Sequence, residues 1–200
     1  MRNEKTKKLA IIAMFVATIA VLAAFNQIFL AFWPFPIKPT ILHVPVIIAS
    51  IVLGPKLGAI IGTWWGFTSV FVATVTAGPT NFLFSPFQTV PGSESGDLRA
   101  LLIAVVPRIL VGVLPYFVYK AVEKSGLRNP LSLGIAGFLG SATNTIFVLG
   151  AIFLFFGKVL GWNLQILLTS IVATNSVAEA VLAAILVGLI TPTLIKVYNK

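Results

Sequence analysis

The stretch Leu9-Ala10-Ile11-Ile12-Ala13-Met14-Phe15-Val16-Ala17 opens a run to Phe32 without a charged residue. As a helix, its roughly 24 residues reach about 36 Å, enough to cross a hydrocarbon core of about 30 Å. It reads as a membrane span. Along one side Ala10, Ala13, Ala17, Ala20 and Ala24 recur at helical spacing, and Ala13/Ala17 and Ala20/Ala24 are small-xxx-small pairs. Helices in lipid associate by packing rather than by escape from water, so such a stripe admits another helix at close range. The plainer reading is the general abundance of alanine in membrane helices.

The whole chain agrees with this stretch. Its 200 residues are 58% hydrophobic and 10% charged, with a mean hydropathy of +1.03, which excludes a soluble domain and defines an integral membrane protein. The absence of cysteine removes disulfides and thiolate metal sites, and one histidine with five acids leaves little for a metal cluster. A net charge of +9 would suggest nucleic acid in a soluble chain. Here the basic residues lie in short loops and at the ends, so the charge reports topology and no nucleic-acid partner is expected. The basic start followed by an apolar run resembles a signal peptide, but the run exceeds an h-region of about 7 to 15 residues and further apolar segments follow. It is expected to be a retained first helix.

Beyond it, Trp33-Pro34-Phe35-Pro36-Ile37-Lys38-Pro39-Thr40 cannot continue a helix and reads as an interfacial loop. The second span, about Ile41 to Leu53, is short for a crossing and ends at the turn Gly54-Pro55-Lys56-Leu57-Gly58. The third runs from about Ala59 to Val75, with Gly62, Trp64, Trp65 and Gly66 in its middle. The connection Thr76 to Leu98 is the longest, and its aromatic content marks an ordered cap rather than a disordered linker. The fourth span, about Arg99 to Tyr119, holds Arg108 and is expected to be broken at Pro107 and Pro115. The fifth covers about Leu131 to Phe156, and the sixth about Trp162 to Val197.

Six spans put both termini on one side. A cytoplasmic amino terminus places Arg2, Lys5, Lys7, Lys8, Lys56, Lys120, Lys124, Arg128, Lys196 and Lys200 inside, against Lys38, Arg99 and Lys158 outside. The expectation is an all-α integral membrane protein with six transmembrane helices and both termini cytoplasmic, in which residues 1–200 form a single transmembrane substrate-binding domain.

Polar groups at depth in a bilayer are expensive, so those present are functional candidates. Arg108, Asn144 and Asn175 all lie roughly 13 to 20 Å below the outer surface by residue count. Asn175 and Glu179, four apart, share one helix face. Arg108 and Glu179 either pair across the bundle or each meet a polar ligand, and the asparagines either bridge helices or contact that ligand. His43 lies just inside the outer end of the second helix, without companions that would make it a metal ligand. Trp64 and Trp65 point about 100° apart, so one at most lines a cavity; Trp64 is taken as that one. Gln88 and Arg99 belong to the cap region. There is no phosphate-cradling GxxxxGK[ST] loop, no HExxH and no GxSxG, so the chain reads as a binding protein without a catalytic set, not as an enzyme. A self-sufficient proton-coupled carrier, with Glu179 titrating against Arg108, is the competing class.

At these residues the chain resembles the substrate-binding S components of bacterial energy-coupling factor (ECF) vitamin transporters. The resemblance covers nearly the whole chain, through Ala13-Met14-Phe15-Val16-Ala17, His43-Val44-Pro45-Val46-Ile47-Ile48-Ala49, Leu53-Gly54-Pro55-Lys56-Leu57-Gly58-Ala59, Phe84-Ser85-Pro86-Phe87 and Pro107-Arg108-Ile109-Leu110-Val111-Gly112. Within the family it is most similar to the pantothenate type. The resemblance implies a multi-pass protein of the bacterial plasma membrane, surrounded by lipid, that captures a water-soluble vitamin under its extracellular loops. It implies a transmembrane T component docked on Ala13, Ala17, Ala20 and Ala24, and two ATPase subunits that use ATP, with no cofactor in this chain. Pantothenate would place its carboxylate on Arg108 or Arg99 and its neutral groups on Asn144, Asn175 and Gln88. An unpaired Glu179 would repel that anion, which leaves pyridoxine, hydroxymethylpyrimidine, folate or riboflavin as alternative vitamins.

Overall fold

A computed structural model describes residues 2–31, 41–76, 78–127, 129–172 and 176–198. Those residues form seven α-helices and one 3-10 turn, and no strand occurs among them. Helix α1 covers Arg2–Ala31, α2 His43–Leu53, α3 Pro55–Val75, α4 Arg99–Glu123, α5 Asn129–Leu160, α6 Leu164–Val172 and α7 Ser176–Tyr198. Five of them, all but α2 and α6, are long and apolar enough to cross a bilayer.

Helix α2 is the hub. His43 through Val52 are all buried, which is how a helix that is apolar all round must sit. Its 11 residues extend only about 16 Å, so it relies on α3, α4, α5 and α7 packed around it. It turns into α3 at Gly54, whose φ of +88° suits glycine, and Pro55 then occupies the first turn of α3, where a missing N–H costs nothing.

The tightest seam joins α3 to α4. Gly58, Gly62 and Gly66 recur one turn apart and meet the backbone of Gly112, Arg108 and Ala104. A Cβ on Gly62 would stand 2.2 Å from the Arg108 carbonyl oxygen, and one on Gly58 2.0 Å from that of Gly112. Glycine alone allows this approach. The α5–α7 seam is similar in kind: a Cβ on Gly137 would lie 2.7 Å from the Ala183 carbonyl oxygen.

One expectation is corrected. Helix α4 is not broken at Pro107 or Pro115: both lie inside one continuous helix and are buried against neighbours, whose packing offsets the lost hydrogen bonds. The expected sixth span from Trp162 to Val197 includes two described helices, α6 and α7, with residues 173–175 between them outside the described residues. The expected loop Trp33–Thr40 and Asn175 lie outside the described residues.

The described part of the long connection after α3 is ordered by its own hydrogen bonds. Asn81 donates its side-chain amide to the Thr76 carbonyl at 2.7 Å, Gln88 donates to the Thr74 carbonyl at 2.9 Å, and the Thr74 and buried Ser85 hydroxyls pair at 2.7 Å. Beneath it Phe82, Leu83 and Val90 form a core with Ile103, Val148, Ile152 and Phe156. The Phe82 and Phe156 rings meet edge to face at 5.6 Å, an arrangement contributing about 0.5–1.5 kcal/mol beyond burial. The connection thus caps one end of α4 and α5. At the opposite end the Lys7 ammonium donates to the Tyr198 carbonyl at 3.0 Å, so the start of α1 and the end of α7 share a side of the bundle.

Candidate functional site

Under the cap lies a buried cation. Arg108 is 7% exposed, and its guanidinium carbon stands 5.1 Å from the Trp65 ring centre and 5.3 Å from that of Phe84. Two aromatic faces from different elements, α3 and the cap, hold the charge by cation–π attraction, worth about 2 kcal/mol where water is excluded. One guanidinium nitrogen, Nη1, donates to the Ile103 carbonyl at 2.8 Å. That acceptor exists because of Pro107: lacking an N–H, the proline cannot bond the carbonyl four residues back, and the neighbouring arginine takes it. The Nε–H has no partner, and among the described residues no carboxylate lies within ion-pair distance of Arg108. A buried cation left this way is costly unless an anion completes it.

The glycine seam fixes where that cation stands. Since the Arg108 backbone lies against Gly62 and its side chain against Trp65, three residues on, α3 supplies both the rail and one wall. On the other side, a Cβ on Gly140 would meet Ile47 and Pro115, which sets α2, α4 and α5 in register. One helical turn toward the cap brings His43 and Asn144 level with Val111, one turn below Arg108. Both are buried, and the Asn144 side-chain oxygen has no partner. An unpaired Nε–H donor and an unpaired amide oxygen therefore stand a turn apart beneath the cap.

The remaining candidates fall elsewhere. Trp64, taken as the pocket tryptophan, is 46% exposed, while Trp65 is 2% exposed and faces Arg108. Gln88 spends its side-chain amide tying the cap to α3. Arg99 sits at the rim, half-exposed, in a bidentate pair with Asp97 and 5.6 Å from the Phe156 ring centre. The Arg99 side chain and backbone N–H hold the Asp97 carboxyl below the usual carboxylate range. Glu179 is partly buried in the first turn of α7, where the helix dipole favours a negative charge. The Gly137–Ala183 contact places it about six residues, or ~9 Å, deeper than Arg108. Ala13, Ala17, Ala20 and Ala24 are all exposed on α1, which turns Ile19 and Ala23 inward instead.

Sequence reasoning passed over Trp65, Phe84 and the Pro107–Ile103 pairing. Trp65 was within reach, since it is seven residues from Gly58 and hence on the glycine face, whereas Trp64 points away. Phe84 comes from an irregular segment, where no periodicity says which side chain turns inward.

Fold and site together define a helical, multi-pass membrane protein with an enclosed cationic site under a cap. The model of the ECF transporter substrate-specific component matches residues 7–195, and the chain belongs to that family. It is 51% identical over 200 residues, the full length of both chains, to the pantothenic acid transporter PanT of Lactococcus lactis subsp. cremoris. It is 30% identical over 220 residues, all of this chain and 98% of the other, to the pantothenate transporter PanT of Leuconostoc mesenteroides subsp. mesenteroides.

Proposed function

We propose that this chain is the S component of a pantothenate importer, binding the vitamin on the extracellular side and delivering it inward. The observation that carries the reading is the partnerless Nε–H of a buried arginine clamped between two aromatic rings. Pantothenate offers a carboxylate for Arg108, and hydroxyl and amide groups suited to Asn144 and His43. The names of the two relatives support the same ligand.

In this reading residues 1–200 are one domain with six spans, α2 being the short one, and both termini cytoplasmic as the basic residues require. Binding Arg108 and Phe84 to one ligand closes the cap, because Phe84 belongs to it. The exposed alanines of α1 receive the T component, and two ATPases drive transport with ATP. Arg99, already paired with Asp97, serves as a rim charge that draws anions toward the site.

The test is a pair of assays on the purified chain. Saturable pantothenate binding by the chain alone, with uptake into vesicles only when T component, ATPases and ATP are added, is the expected result. Gradient-driven accumulation by the chain alone would establish the carrier class instead, and tighter binding of a different vitamin would change the substrate.

A further inference from the structure

A groove of about 410 Å³ opens between α1, α2 and α7, away from the cationic site. Its walls include Ile11 and Phe15 of α1, Pro45 and Ile48 of α2, and Ile190 and Leu194 of α7, with Tyr198 at one mouth. From Tyr198 to Leu186 it follows α7 for ~18 Å, close to the ~15 Å depth of one leaflet's hydrocarbon. Its length and its almost wholly apolar walls suit a single acyl chain lying along α7.

The end of α1 at the mouth is net basic, with Arg2, Lys5, Lys7 and Lys8 against Glu4. Lys7 and Lys8 stand four and three residues before Ile11, hence above the groove-lining face of α1. Lys7 is engaged with the Tyr198 carbonyl and lies 6.0 Å from the Tyr198 ring centre, which ties α1 to α7 at this rim. Lys8 is exposed, and among the described residues it has no acidic partner. The groove face is turned about 150° around α1 from Ala13 and Ala17, so an occupant there leaves the alanine stripe uncovered.

We infer that the groove holds one acyl chain of an anionic phospholipid, whose phosphate meets Lys8 and the Lys7–Tyr198 rim. The lipid fills the gap between α1 and the rest of the bundle and fastens a helix that otherwise packs along one side only.

Native mass spectrometry of the purified full chain, titrated with dioleoylphosphatidylglycerol or dioleoylphosphatidylcholine, tests this. One phosphatidylglycerol should be retained per chain with about fivefold preference over phosphatidylcholine, the factor a juxtamembrane lysine contributes. Lys8→Gln should bring the two lipids near parity, and Ile190→Trp should displace both while the chain stays folded by circular dichroism. Glycerol 3-phosphate, the headgroup without chains, should not compete. Equal retention of both lipids by the wild type, or unchanged retention in both variants, would overturn the inference. So would competition by glycerol 3-phosphate, which marks a free-anion site. Loss of T-component capture in Ile190→Trp with lipid retention intact would also overturn it, by making the groove a protein-docking surface.

Discussion

Two stripes of small residues, one on α3 and one on α1, recur about once per helical turn and have opposite fates. Gly58, Gly62 and Gly66 face inward, and α4 lies so close that a methyl group at Gly62 would overlap the Arg108 carbonyl. Ala13, Ala17, Ala20 and Ala24 face outward, and within the chain nothing covers them among the described residues. Buried, a small-residue stripe is a rail that fixes where a costly charge stands. Exposed, it is in the proposed reading a smooth surface for the T component. The sequence pattern is alike in both cases, and only the partner differs.

The strongest way to break this contrast is Gly62→Leu. Overpacking against backbone that cannot yield should cost about 3 kcal/mol or more, and ligand binding should vanish with the native melting transition in a thermal scan. An unchanged melting temperature would mean that the seam is not a rail. Next, Ala17→Trp should eliminate co-purification with the T component while pantothenate affinity, read by calorimetry, stays within about twofold, because the surface positions it alters do not reach the core. If it bound partners normally, the alanine stripe would lose its role.

Smaller effects sharpen the site end of the comparison. Asn144→Leu removes an unpaired buried acceptor of about the right size, so the apo protein should become no less stable, while affinity falls about tenfold for one lost hydrogen bond to ligand. A Leu variant that bound normally would make Asn144 a packing residue. The least effect belongs to Arg99→Gln, since solvent screens an exposed ion pair; equilibrium affinity should barely move, while the association rate drops at low salt, measurable by stopped flow. Asp97 titrates in the same pair. Its carboxyl is held low by Arg99, so the stability that the pair lends is present above the ordinary carboxylate pKa and is lost as pH falls through the depressed value.

How far the sequence carried this depended on whether a feature was periodic. Membrane helices and the short α2 follow from run length and composition. The family resemblance rested on the same segments. What escaped was decided by contacts between elements: Trp65 rather than Trp64 against the arginine, Phe84 arriving from the cap, and a proline that frees a carbonyl instead of breaking its helix. Glu179 was legible as an acid within a membrane helix, but its distance from Arg108 depends on the α5–α7 register, which no single helix encodes.

The central claim is that the buried guanidinium of Arg108 waits for a carboxylate. Titration calorimetry with pantothenate and with its neutral alcohol analogue, panthenol, on wild type and Arg108→Gln, tests it directly. Wild type should prefer the carboxylate by about 100-fold, the order expected for a desolvated charge pair, and the variant should bind both compounds equally weakly. Equal affinity of the wild type for both, or a preference that survives in Arg108→Gln, would contradict it.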